Sequence, residues 1–470
     1  MNKVISKLFI PMLLIYVFFV GVLFINNDYT VSALMPWAPL FYGAMFGLLY
    51  WQKKKAFNSV VVVIIYAMWF LRMVITPGIY VLSGYSSTVL TSAGTDNLNF
   101  AVLLVIYELF CVTFFLLLNK KVGADSSFVS TENEVALKNT VKTNQYVTLI
   151  IFILLLLALF AVWRDRNVTA SISSVFSKIG GDVSADVERR REVLRLRNET
   201  NLMYHLFFNC VYYLQILIPA GLLAFIKRKN SDSANEKGFL ISILIAFAAV
   251  LITTDNNSDS VCIMLAAFFV VFFNYRNKTR RYFPYIITAV IAFIAVFLLS
   301  KTGYGAEGSD FISDISKLMC AYFASFANVS AGIAVEFSNK MATFFGDIVS
   351  GVPYMMVFFK GYPQSVLLYN EIVYGVGGAR NQIMPLIATG YHYLGLLSPA
   401  FSIIAYYIAI KAENKMKQSK QILSQVVYAV LVINMSIGPC FWGLSSHIKR
   451  LVLFIPLLVL VYINERKKID

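Results

Sequence analysis

The stretch SADVERRREVLRLRNET, residues 184–200, carries Arg189, Arg190, Arg191, Arg195 and Arg197 and contains no proline or glycine. On a helix, Arg191 and Arg195 lie one turn apart on one face, and Arg190 and Arg197 lie two turns apart on the neighbouring strip. Guanidinium forks match the oxygens of a phosphate, so this pattern reads as an anion site. The alternative is a solvated helix in which Glu188, Glu192 and Glu199 pair with the arginines.

Two further charges stand in apolar surroundings. Arg72 falls within the apolar run 59–80 and Glu108 within 97–118. Charges at that depth in a bilayer cost several kcal/mol unless paired. Arg72 with Glu108 is the economical pair between sequential antiparallel helices, either as a structural bridge or with a functional role. His205, His392 and His447 are the only histidines, each near the end of an apolar run. Such histidines serve as interfacial polar groups or as proton carriers. The cysteines are odd in number and dispersed, which argues against a disulfide framework or a zinc site. No metal-ligand spacing, glycine-rich phosphate loop or nucleophile elbow is present, so no metal, nucleotide or other cofactor is expected.

These residues must be positioned by a membrane-embedded frame. The chain of 470 residues is 59% hydrophobic and only 14% charged. Soluble domains are nearer a quarter charged. Apolar runs at 8–26, 33–51, 59–80, 97–118, 145–163, 203–226, 238–253, 284–300 and 384–410, a run before 276 and two more closing the chain, the last at 450–464, predict about twelve transmembrane helices. The first run lacks a cleavage site and reads as a retained helix. The net charge of +15 would suit nucleic acid in a soluble protein. Here the positive-inside rule accounts for it. Lys53, Lys54, Lys55, Lys120, Lys121, Lys227, Arg228, Lys411, Lys417 and Lys420 all fall in alternate loops, which predicts both termini in the cytoplasm.

The expectation is an all-α integral membrane protein, N-in and C-in. Residues 1–163 hold the first five helices, 164–202 a basic extracytoplasmic loop and 203–300 four more. Residues 301–383 form a large extracytoplasmic loop domain, and 384–470 hold the last three helices. Within 301–383, Phe311, Ile312, Ile315, Leu318, Met319 and Tyr322 recur at helical spacing, as do Phe337, Met341, Phe344, Phe345 and Ile348. That spacing predicts amphipathic helices lying on or dipping into the membrane surface.

The layout resembles the Wzy-type polysaccharide polymerases, which neighbour the O-antigen ligases. The likeness rests on many helices, a basic outer loop near the middle and one large outer loop late in the chain. Its most specific local part is RNQIMPLIATGYHYLGLL, residues 380–397. Arg380 and Asn381 stand where the ligases carry a His-Asn pair, with Gly390 and Gly395 following. Arginine cannot act as a base at neutral pH, so the resemblance implies phosphate binding rather than a catalytic base at Arg380. TTDNNSDSVCIM, residues 253–264, is a weaker match.

The resemblance implies a glycosyltransferase in the cytoplasmic (inner) membrane of a bacterium. It would move a growing glycan from undecaprenyl pyrophosphate to a sugar hydroxyl of another lipid-linked repeat unit. Arg191, Arg195 and Arg380 would then bind pyrophosphate, with Arg190 and Arg197 as second choices. His392, Glu371 and His447 are the candidate bases, and the aromatic stretch 362–374 is a candidate sugar platform. The implied partners are the lipid-linked oligosaccharides, membrane lipid, a chain-length regulator and a flippase, with no nucleic acid. The alternatives are a lipid-linked oligosaccharide flippase or another polytopic transporter.

Overall fold

The computed structural model describes residues 2–89, 95–123, 145–171, 202–229, 236–249, 257–275, 282, 310–359, 361–374 and 382–466. Every regular element among them is a helix. In chain order the longer ones are α1 (Asn2–Asn26), α2 (Trp37–Gln52), α3 (Val60–Leu82), α4 (Leu98–Leu118), α5 (Gln145–Arg164), α6 (Leu202–Lys229), α7 (Glu236–Ala248) and α8 (Asn257–Asn274). Then follow α9 (Phe311–Tyr322), α10 (Phe326–Ile333), α11 (Lys340–Gly351), α12 (Ser365–Tyr374), α13 (Leu386–Leu394), α14 (Ala400–Gln418), α15 (Ile422–Phe441) and α16 (Leu444–Arg466).

Among the described residues, six helices are long and apolar enough to cross a membrane, and a bent pair makes up to seven. The chain is thus a multi-pass helical membrane protein. The expected spans at 33–51, 238–253 and the run before 276 appear as the shorter helices α2, α7 and α8. The expected span at 284–300 lies outside the described residues.

The single helix expected over 384–410 is instead broken. A bend of 105° separates Leu386–Leu397 from α14. Gly395 takes a positive φ of 58°, a conformation that ends a helix cheaply only at glycine. Pro399 then sits just ahead of α14, where its missing N–H costs little.

The basic loops meet at one end of the bundle. Lys53 donates to the carbonyls of Leu116 at 3.0 Å and Asn119 at 2.6 Å, capping α4 where its dipole favours a cation. Burial lowers the pKa of this lysine. Glu413 of α14 accepts from Ser59 and, at 2.8 Å, from the Val60 amide, which closes the start of α3. Lys417 pairs with the same carboxylate at 2.7 Å. Asn274 joins Lys227 to Gln425, and Ser419 bonds Glu465 at 2.9 Å. Loops that are remote in sequence therefore share this end.

Residues 310–333 pack at the opposite end and then enter the bundle. Ser313 meets Ser86 at 2.8 Å, and Ser316 donates to the Ser86 carbonyl, just beyond the end of α3. At the far end of α9, the Ala324 carbonyl accepts from Arg72 Nε at 3.1 Å. Arg72 lies about 15 Å of helical rise inward from Leu82. α10 then returns, and Ser330 accepts from the Asn97 amide at 3.1 Å. α9 and α10 thus form a hairpin whose turn reaches Arg72 inside α3.

The hairpin shows why the apolar spacing is only half the account. α9 buries Ser313, Ser316, Met319 and Cys320, while Phe311, Ile312 and Tyr322 are exposed. α11 likewise buries Thr343, Gly346, Asp347 and Gly351 and exposes Met341. In a membrane protein, small residues let helix backbones approach and large apolar ones can face lipid. Phe311, Ile312 and Tyr322 of the apolar stripe therefore point outward here, while Met319 packs inward.

Candidate functional site

Among the described residues, two ion pairs have both side chains buried in the interior. The first is the pair expected from the sequence. Arg72 Nη1 donates to Glu108 Oε2 at 2.9 Å, and both side chains are fully buried. Arg72 sits in a π-helical turn, Leu71–Ile75, inside α3. Its guanidinium lies 5.0 Å from the Trp69 ring centroid. The other Glu108 oxygen accepts from Ser402 in the first turn of α14. Arg72 Nη2 has no hydrogen-bond partner among the described residues.

The second pair joins α8 to α16. Arg450 Nη2 donates to Asp259 Oδ1 at 2.6 Å, and both residues are buried. The guanidinium also lies 3.4 Å from the centroid of the Trp442 ring. One turn earlier on α16, His447 packs edge-on to Trp442 with centroids 6.0 Å apart. Arg450 Nε, His447 Nε2 and the hydroxyl of buried Tyr212 have no hydrogen-bond partner among the described residues. Buried polar groups without partners cost about 1–3 kcal/mol each, so such a set calls for a function or a ligand.

A small cavity lies at the hairpin turn, bounded by Ala324 and Trp442. Its volume of about 10 Å³ suits a single water. Ala324, whose carbonyl bonds Arg72, forms part of its wall, and so does Trp442, which carries Arg450. Pro385 from the approach to α13 and Pro439 and Cys440 from the end of α15 also line it. The wall is thus built from irregular backbone: the hairpin turn, the start of the broken helix and a proline-containing helix end. Irregular backbone at membrane depth is tolerated where it is buried in protein or lines a cavity.

The expected site residues fall in different places. Arg190, Arg191, Arg195, Arg197 and Arg380 lie outside the described residues. His447 joins the Arg450 cluster. His392 is engaged elsewhere, with Nε2 2.9 Å from the Gly332 carbonyl and its ring stacked on Phe337 at 4.4 Å. Glu371 is exposed on α12. His205 packs edge-on to Tyr354, whose hydroxyl accepts from Asn209 at 3.1 Å. Of the aromatic stretch, Tyr369 is fully buried in the core, whereas Tyr362 is exposed beside Phe345.

Outside the spans, Asp347 on α11 is fully buried. It accepts from the Ser365 amide at 2.9 Å and from Tyr393 at 2.8 Å. Burial raises its carboxyl pKa above the ordinary value, and those hydrogen bonds oppose the rise.

Arg450 and Asp259 are the residues that sequence reasoning missed. The last apolar run reads as starting at Arg450, which places that arginine as a flank. The helix begins at Leu444, and that earlier start carries Arg450 into the interior. The unusual group Trp442, His447, Lys449 and Arg450 ahead of an apolar run was the available signal. No family model, no curated protein and no solved structure matches this chain.

Proposed function

We propose that the chain is a membrane-embedded glycosyltransferase that joins lipid-linked oligosaccharide repeat units. The observation that carries this reading is the pair Arg450 and His447. They are buried one turn apart on α16, with Nε and Nε2 respectively lacking a hydrogen-bond partner among the described residues. One group offers N–H to a phosphate oxygen, and the other offers a nitrogen that can take a proton.

In this reading the lysine-rich end of the bundle faces the cytoplasm, by the bias of basic residues. The opposite end, with Asp259 and Arg450 just inside it, faces outward. A sugar hydroxyl attacks the anomeric carbon of the donor. The bond from that carbon to the pyrophosphate oxygen breaks, and its electron pair leaves with the lipid pyrophosphate. His447 takes the hydroxyl proton. Arg450, oriented by Asp259 and Trp442, stabilises the charge gathering on the leaving group. Arg191, Arg195 and Arg380 are proposed to add donors to the same anion, with Arg190 and Arg197 as second choices. The energy lies in the donor, in keeping with the lack of any nucleotide motif in the sequence.

The test is complementation of a strain lacking the gene, reading both polymer length and lipid-linked intermediates. Arg450→Ala and His447→Ala, each compared at matched membrane levels, should leave single repeat units displayed on the outer face. Long chains in both variants would overturn the reading. Units trapped on the inner face in the deletion strain would support the flippase instead.

A further inference from the structure

The hairpin α9–α10 has an unusual problem to solve. Its turn, Phe323 to Ser325, lies beside the middle of α3, where water is scarce, and Ala324 adopts a positive φ of 46°. A helix end at membrane depth leaves carbonyls that must find donors. On the α10 side, Ser325 accepts from the Asn328 amide and caps that helix. On the α9 side, Arg72 Nε donates to the Ala324 carbonyl, which also sets a cation at the negative end of α9.

The same guanidinium is held by Glu108 of α4, and Glu108 is held by Ser402 of α14. One buried ion pair therefore ties two spans, the hairpin turn and the broken helix to a common point. We propose that Arg72 and Glu108 are positioning residues. They seat the hairpin in the bundle and so hold Ala324 in the wall of the cavity that Trp442 also lines. Arg72 acts on the site through the Ala324 carbonyl rather than by binding substrate. The link to catalysis rests on the proposed glycosyltransferase reading, but the seating of the hairpin does not.

The experiment reads seating directly. Ser86 and Ser313, whose hydroxyls are 2.8 Å apart, report the hairpin's outer end. Ser86→Cys with Ser313→Cys should form a disulfide in isolated membranes under mild oxidation. The five native cysteines are first replaced by serine or alanine; protection of both introduced thiols from a maleimide polymer tag is then the readout, and each single-cysteine variant is a control. In this background, Arg72→Lys keeps the charge on Glu108 but loses the planar fork that reaches both partners. It should slow cross-linking about tenfold at unchanged protein level. Arg72→Glu with Glu108→Arg restores an ion pair yet removes the donor to Ala324. It should slow cross-linking equally.

Parent-like cross-linking in either variant would show an ordinary buried salt bridge and overturn the assignment. So would loss of folded protein in Arg72→Lys, because the pair's role would then be global rather than local to the hairpin. Failure of the parent pair to cross-link would refute the docking of α9 against the end of α3, on which the assignment stands. None of these outcomes depends on activity, so they stand apart from the complementation test. If both readings hold, Arg72→Lys also shortens the polymer in proportion to its loss of cross-linking.

Discussion

The guanidinium of Arg450 lies 3.4 Å from the centroid of the Trp442 ring while it bonds Asp259 at 2.6 Å on its edge. The two contacts fix the plane of the fork as well as its position. A cation over a desolvated indole gains about 2 kcal/mol, and the buried carboxylate adds its charge.

The first prediction separates that scaffold from its chemistry. Arg450→Met alone leaves Asp259 as an uncompensated buried charge, which costs about 3–5 kcal/mol. Arg450→Met with Asp259→Leu removes both charges and should recover most of that loss. Thermal unfolding in detergent, followed by size-exclusion chromatography, should show the double variant near the parent and the single variant well below it. Neither should make long polymer. A double variant that is stable and fully active would remove Arg450 from the mechanism.

Parts of this arrangement were legible in the sequence, for physical reasons that differ residue by residue. Arg72 and Glu108 announced each other because isolated charges in adjacent apolar runs have few other partners. The lysines marked one end of the bundle because charge counts along the chain are insensitive to packing. The break at Gly395 was hidden because leucines continue on both sides of it, so the apolar run looks unbroken. The inward face of α9 was misleading for the opposite reason. Periodicity reports which residues share a face, and only the surroundings decide whether that face meets protein or lipid. Arg450 was missed because a run of apolar residues defines a helix less well than its first turn does.

The second prediction concerns close packing of α11. A Cβ on Gly346 would lie 1.9 Å from the Pro363 carbonyl oxygen, a backbone atom that cannot swing aside. Gly346→Ala should therefore push α11 off the approach to α12, at a cost of about 1–3 kcal/mol. Gly47 in α2 has nothing within 4 Å of the same position. Gly47→Ala should be neutral or slightly stabilising, since alanine suits a helix interior better than glycine. Melting temperatures of the two variants in the same detergent make the comparison, and equal values would contradict this packing.

The third prediction is a pH dependence that follows from Asp347. Burial is the larger influence and raises its carboxyl pKa above the ordinary 3.8, while Ser365 and Tyr393 pull the other way through hydrogen bonds. The folded chain then keeps this proton at pH values where the unfolded chain has released it. Stability from this group is fully present below the unfolded value and is lost as pH rises through the folded one. Asp347→Asn stays neutral throughout, and its amide oxygen can still accept from the Ser365 amide or the Tyr393 hydroxyl. The difference in melting temperature between variant and parent should therefore shift in the variant's favour as pH is raised from about 4 to about 7. A difference that does not change over that range would mean that Asp347 is already ionised in the fold at little cost, with its two donors outweighing its burial.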